Sequence, residues 1–363
     1  MNSNNLFILK RIIGFDLARA YAILVMFIVN FVNVFGGYGD FSILGRFAAL
    51  FNGNASSLFV ILAGIGTTLA TSHGEWTAER KKQWQKTVSK RSWFLFGLGL
   101  LLYNWWPFDI LHFYGAYLHI AAFILFLDKR YYLYLIGFVI FIYYLLFWLI
   151  PYQTGWDFAN FIYLDFWTIK GFIRNSLYNG SNPFFPWFAF FLLGMWLGRL
   201  ELKVFLSKKF FLIVLFLFLA VELLQILATL AFFPPSWSDY ILADYFPPFL
   251  PFMLSTASAA LLVIYFCLWI GQKYSFGILS HLAQFGQMTL TNYLLHLTLG
   301  MVLLAVLLDK NYAQNLTQQL PSPTIYTLLF ALGFYLFAFV LSIFWFKKFK
   351  YGPIETIMRK ICG

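Results

Sequence analysis

The chain has 363 residues, of which 61% are hydrophobic and only 11% charged, and its mean hydropathy is +0.76. This composition excludes an ordinary soluble domain. Long unbroken apolar runs exclude a membrane β-barrel, whose strands alternate apolar and polar residues. The net charge of +11 does not mark a nucleic-acid partner, because the basic residues are scattered over short segments between apolar runs.

The expected fold class is therefore all-α: a polytopic integral membrane protein of about ten transmembrane helices, forming one domain over residues 1–363. Spans are expected near 12–35, 47–71, 91–106, 110–127, 131–150, 184–200, 209–233, 247–271, 283–308 and 323–346. The first is read as a retained span, being too long for a signal-peptide core. With both termini cytoplasmic, 20 basic residues fall on the inner side and four (Arg46, Lys170, Arg174, Lys310) on the outer, as the positive-inside rule requires. Cys267 and Cys362 give no basis for a disulfide.

The first span, RIIGFDLARAYAILVMFIVNFVN, carries Asp16, Arg19, Asn30 and Asn33. At about 100° per residue these four fall on one side of the helix. Charges inside a bilayer persist mainly where they are paired or used, so the stripe reads either as a structural Asp16–Arg19 pair or as the wall of a cavity. In the second span, the small residues Ala63-Gly64-Ile65-Gly66 read as a helix-packing face. Residues 73–91 are read as a loop, the most charged on the inner side. Its Arg80, Lys81 and Lys82 could meet the phosphates of a nucleotide-bearing donor; orientation and contact with anionic lipid is the competing reading.

The fourth span opens Asp109-Ile-Leu-His112-Phe-Tyr114-Gly115-Ala116-Tyr117-Leu-His119. His112 and His119 are two turns apart on one face. Residues 151–183 form a long aromatic outer segment, read as interfacial and able to roof a site. Asn182-Pro183 then opens the sixth span. Glu222 in the seventh span needs a partner. The ninth span sets Thr289, Asn292, Tyr293 and His296 close together, and the basic tail 347–363 is placed at the inner surface. No metal-ligand box, phosphate loop or dinucleotide fingerprint is present.

Several of these blocks resemble one family in order. FDLARAYAILVMFIVNF is similar to the first helix of transmembrane acyltransferases related to heparan-alpha-glucosaminide N-acetyltransferase. LFVILAGIG, DILHFYGAYL, FFPWFAFFLLGMWLGR, TLTNYLLH and YGPIETIMR resemble the bacterial YeiB-like branch. The resemblance implies transfer of an acyl group, acetyl first of all, from cytosolic acetyl-CoA or another acyl-CoA to a hydroxyl or amine of a glycan or lipid acceptor across a bacterial inner membrane. It carries a catalytic role to Asn30 and His112. Ala20 stands where the family has Gly, and Asn30 where many relatives have His; Val34–Arg46 contains no His.

On this reading His112 is the general base and Asn30 donates to the developing oxyanion. Asp109 holds the His112 region or binds the acceptor, and Tyr114, His119, Asn292, Tyr293 and His296 bind the acceptor. Asp16, Arg19, Arg80, Lys81 and Lys82 meet the donor, and no metal takes part. The rival readings are a transporter or flippase using the same residues for binding only, and a non-catalytic partner protein. The spans read as unbroken and without inverted repeats, which favours the enzyme. The oligomeric state stays open, a homodimer included. The charge asymmetry makes a direct prediction: a reporter fused after Gly363 reads cytoplasmic and one inserted in 175–182 reads external, and the reverse at either position overturns the ten-span arrangement.

Overall fold

In the computed structural model, residues 12–36, 40, 42–72, 76–274, 277–312 and 322–363 are described. The protein is an all-α, multi-pass membrane protein. Seven of its described helical segments are long and apolar enough to cross a bilayer. The helices are α1 (Ile13–Phe31, continued by a π turn Val32–Gly36), α2 (Ile43–Ala49), α3 (Asn54–Leu69), α4 (Ala78–Leu102), α5 (Leu111–Ile124) and α6 (Lys129–Leu149). A two-stranded ribbon of β1 (Trp156–Asp157) and β2 (Ile162–Tyr163) precedes α7 (Ile169–Arg174) and α8 (Phe184–Leu197). Then come α9 (Leu202–Phe205), α10 (Lys208–Thr229), α11 (Pro235–Leu242), α12 (Leu250–Lys273) and α13 (Ile278–Gly286). The chain finishes with α14 (Thr289–Leu295, continued by a π turn His296–Gly300), α15 (Met301–Leu307), α16 (Thr324–Phe346) and α17 (Pro353–Cys362).

Burial sorts these helices. The spanning window of α1 is 67% buried, whereas those of α6 and α10 are 17% and 11% buried and face outward. The small residues of α1 explain its central place. Gly14 lies against the backbone of Leu268 in α12 with no room for a Cβ, and Ala18 and Ala22 are fully enclosed. The glycines of α3 act as their composition suggests. Gly64 meets Gly194 of α8 backbone to backbone, and Thr68 Oγ1 donates to the Met195 carbonyl at 3.0 Å.

One end of the bundle holds most of the basic side chains and is here the basic end. Arg199 ties two helix ends together there, donating to the carbonyls of Thr71 (3.1 Å) and Leu125 (2.5 Å). The opposite, loop end is covered by 151–183 and 231–249. There Tyr178 donates to the Ile150 carbonyl at 2.8 Å, and Trp167 to Asn104 Oδ1 at 3.1 Å. The 151–183 segment has a firm interior: Arg174 Nε donates to the Tyr163 oxygen (2.8 Å) and the Tyr163 hydroxyl to Asn179 Oδ1 (2.7 Å). Burial pushes the Tyr163 hydroxyl up to about 12, which keeps it a donor. Within the bundle, Glu222 does find a partner, accepting from Ser255 Oγ at 2.6 Å.

Two expectations need correction. The basic segment read as a loop is helical from Ala78, because Thr77 caps the helix by accepting from Arg80 N at 3.3 Å. The ninth span is also not one helix: it breaks at Gln287–Met288. The break leaves the first amide groups of α14 without helical partners. The Glu355 carboxylate of α17 takes them, accepting from Leu290 N (2.8 Å), Thr291 N (3.0 Å) and Thr291 Oγ1 (2.5 Å). In the sixth span Phe185 is extended (φ −99°, ψ 120°), so regular helix begins with Pro186, which has no N–H to satisfy.

The glycine contacts predict unequal tolerance. Gly194→Leu forces a side chain into the α3 backbone and should cost about 3 kcal/mol or more, seen as loss of monodisperse protein in detergent. Gly137→Leu on α6, where a Cβ meets nothing within 4 Å, should be silent.

Candidate active site

A cavity of about 340 Å³ runs beside α1, lined along that helix by Arg19, Met26, Val29, Asn30, Asn33 and Val34. From Arg19 to Val34 is about 22 Å of helix, a large part of a hydrocarbon core of roughly 30 Å. The cavity is thus long and narrow. Arg19, Thr289 and Met358 line its basic end; Asn52, Phe161, Asn182 and Phe246 line its loop end. Most of the wall between them is apolar.

At the basic end Arg19 Nη1 lies 2.5 Å from Asp16 Oδ1. Asp16 is buried and turned away from the cavity, and it also accepts from Gln287 Nε2 at 3.4 Å. The Arg19 side chain keeps 25% of its surface exposed. A Cβ on Gly66 would sit 3.4 Å from Arg19 Nη2, so that glycine makes room for the guanidinium. The two readings of the stripe therefore divide by residue: Asp16 pairs, while Arg19 both pairs and lines the cavity.

Asn30 Nδ2 lies 2.9 Å from His296 Nε2. His296 Nδ1 faces the Asn292 carbonyl at 3.2 Å. A carbonyl only accepts, so the proton sits on Nδ1, and Nε2 accepts from Asn30. One N–H of Asn30 is thereby used and the other is free to serve a ligand. Both partners sit where an α-helix gives way to a π turn, Val32–Gly36 in one case and His296–Gly300 in the other. Such turns are frequent at functional sites. His296 itself is fully buried, stacked on Phe27 at 5.2 Å, and does not line the cavity.

Asp109 is fully buried. Its Oδ2 accepts from the His112 backbone N (3.1 Å) and ring Nδ1 (3.0 Å), and its Oδ1 from the Tyr293 hydroxyl (2.8 Å). The carboxylate fixes the His112 tautomer with the proton on Nδ1, leaving Nε2 bearing the lone pair and without a hydrogen-bond partner. That ring is enclosed by Tyr103, Phe113 and Phe166 and lies behind the cavity wall, while Tyr293 is part of the wall.

The predicted residues therefore separate into groups. Asn30, Arg19, Tyr114 and Tyr293 meet in one cavity. Asp109 and His112 stand one residue behind it, joined through Tyr293. His119 does share a face with His112, but that face meets α4: His119 Nδ1 lies 3.2 Å from Ser92 Oγ, and Trp93 packs on its ring. Asn292 is buried outside the lining, with an unpaired Nδ2. Arg80, Lys81 and Lys82 lie on the exposed first turns of α4, with Lys81 over the Phe126 ring, away from the cavity. His73 lies outside the described residues, and His281 is exposed on α13. Sequence reasoning gave no ligand role to Ser181, Asn182, Phe161, Tyr245, Phe246 or Met358, all of which line the cavity. Only the Asn-Pro step before the sixth span signalled any of them.

The geometry predicts how the histidines differ. Removing His296 leaves the half-buried Asn30 N–H without its partner, beside the space the ring filled, which costs about 1–3 kcal/mol. His296→Ala should lower the unfolding temperature in detergent clearly, and His119→Ala, at a half-exposed site, should do so much less. Equal losses would show that the Asn30–His296 bond is not a specific tie.

Comparison with known families gives two matches. The family model described as heparan-alpha-glucosaminide N-acetyltransferase, catalytic, matches residues 11–233, more than half of the chain. A second, described as protein of unknown function (DUF418), matches residues 194–362. No curated protein and no solved structure matches the chain. The long match over the first helix, the DILH block and the NPFFPW block makes this chain a member of the heparan-alpha-glucosaminide N-acetyltransferase catalytic family, a family of membrane acetyltransferases.

Proposed function

We propose that the protein moves an acyl group, acetyl first of all, from cytosolic acyl-CoA to a hydroxyl or amine of an extracytoplasmic glycan or lipid, in a bacterial cytoplasmic membrane. The observation that carries this reading is the cavity along α1, with a guanidinium at one end and amides and aromatic rings at the other. A long narrow slot suits an extended acyl-pantetheine arm better than a compact sugar. Arg19 would meet the polar part of the donor at the basic end. Arg80, Lys81 and Lys82 lie outside the slot, and their role would be limited to drawing the anionic donor to that face.

Near the loop end Asn30 gives its remaining N–H to the thioester carbonyl as charge develops on that oxygen. The acceptor attacks the carbonyl carbon, the C–S bond breaks, and the acceptor's proton ends on the CoA sulfur. Tyr293 is the member of its trio in the cavity wall. The proton therefore passes through the Tyr293 hydroxyl, which takes it while giving its own to Asp109; as the C–S bond breaks the relay runs back, Asp109 returning its proton to Tyr293 and Tyr293 giving one to the thiolate. His112 holds the carboxylate with two N–H groups. On this view His112 acts through Asp109 and not on the acceptor directly.

A transport reading would use the break at Gln287–Met288, but the break is closed by three hydrogen bonds to Glu355. Vesicles holding purified protein separate the two. Labelled acetyl-CoA supplied at the cytoplasmic face should yield label on glycan or lipid extracted from the other face. Asn30→Ala should lower kcat about 10²–10³-fold, Tyr293→Phe about 10²–10⁴-fold, and Arg19→Ala should mainly raise KM for the donor. Movement of an intact solute with no labelled product would replace the enzyme with a transporter.

A further inference from the structure

Three residues that line the cavity each carry a buried polar atom with no hydrogen-bond partner: Oη of Tyr114, Oγ of Ser181 and Nδ2 of Asn182. Ser181 and Asn182 are 4% and 2% exposed. A buried donor left unpaired costs about 1–3 kcal/mol, so three on one wall need a reason. They do not arise from a loose segment. The Asn182 carbonyl accepts from the hydroxyl of Tyr117 at 2.5 Å, and Tyr117 is fully buried one turn beyond Tyr114 on α5. Pro183 then leads straight into α8. Asn182 is held by its backbone while its side-chain N–H₂ stays unspent. All three atoms can donate, and the amide nitrogen can do nothing else. The ligand they await is an oxygen with lone pairs.

We propose that Asn182, with Ser181 and Tyr114, is a second oxyanion donor group that binds the carbonyl oxygen of the acyl thioester, sharing it with Asn30. The inference rests on the acyl-transfer reading above and adds catalytic residues to it. Asn30 alone is a weak hole, since His296 occupies one of its two N–H groups. As the acceptor's oxygen or nitrogen bonds to the acyl carbon, the carbonyl π electrons move onto the oxygen, to which Asn182 Nδ2 donates. They return as the C–S bond breaks, and CoA leaves as the thiol with the acceptor's proton. Donors fixed before the reaction need no reorganisation as that charge appears.

The test compares acetyl-CoA with S-ethyl-CoA, which keeps the sulfur and the chain but has no carbonyl oxygen. Binding is measured on the full-length protein in detergent, and turnover in the vesicle assay. Wild type should prefer acetyl-CoA about tenfold or more, the worth of one good hydrogen bond. Asn182→Ala should bind S-ethyl-CoA as wild type does, which also shows that it is folded. It should lose the preference for acetyl-CoA, with kcat down about 10²–10³-fold. Ser181→Ala and Tyr114→Phe, which change little in shape, should each lose part of the preference, so the proposal stays testable if Asn182→Ala does not fold. Full preference and turnover in all the variants that fold would overturn the second donor group and leave acyl transfer standing. Failure of wild type to bind either CoA compound would overturn the acyl-transfer reading, and this proposal with it.

Discussion

A polar atom inside a membrane protein has no water to fall back on, so its partner must come from the chain itself. The first helix is built under that constraint. It is the most buried span, and it carries an arginine, an aspartate and two asparagines. Asp16 is answered by Arg19 and Gln287, and Asn30 by His296. The bonds to Gln287 and His296 tie α1 to the segment that begins at α13. The surrounding helices can then be apolar and interchangeable in detail, because these bonds set how α1 is turned. Arg19, Asn30 and Asn33 are left facing a cavity.

The tail takes part in the same arrangement. Glu355 lies 64 residues beyond Thr291 in the chain, yet its carboxylate closes the N-terminus of α14. An acidic group belongs at that end of a helix, where the amide dipoles leave partial positive charge. The bond places α17 under the cavity, and Met358 becomes part of its lining. The two family matches meet here. Arg19, Asn30 and Tyr114 come from the stretch matched by the first model, and Thr289, Tyr293 and Met358 from that matched by the second. Neither stretch builds the cavity alone.

Much of the fold was legible because apolar run length is a strong signal; the expected spans coincide with helices to within several residues, apart from the early start of α4, the break between α2 and α3 inside the second span, and the break before α14. The face of α1 was legible for the same kind of reason, since helical period alone puts Arg19, Asn30 and Asn33 together. Period does not say what a face meets. His112 and His119 were correctly set on one face of α5, but Gly99 and Ser92 of α4 fill the space beside that face. Beyond the Asn-Pro step, the importance of Ser181 and Asn182 was not legible. An amide is ordinary in sequence, and only the surrounding fold makes its N–H unpaired.

The lining also bears on the kind of chemistry the site can carry. Among the described residues that line the cavity there is no histidine and no cysteine. The amide nitrogen of Asn30 is too weakly basic to attack a thioester. His112 and His296 have the right chemistry, yet one is walled in by three aromatic rings and the other has its Nε2 lone pair engaged by Asn30. Neither is placed as a nucleophile would be, exposed to the bound acyl group with a base behind it. What the cavity offers instead is amide N–H groups at Asn30 and Asn182, and a phenol backed by a carboxylate at Tyr293. On the acyl-transfer reading proposed above, those parts favour direct attack by the acceptor on the thioester. Direct attack requires donor and acceptor to be present together, and a slot that reaches from the arginine end to the aromatic loop end has room for one to enter from each side.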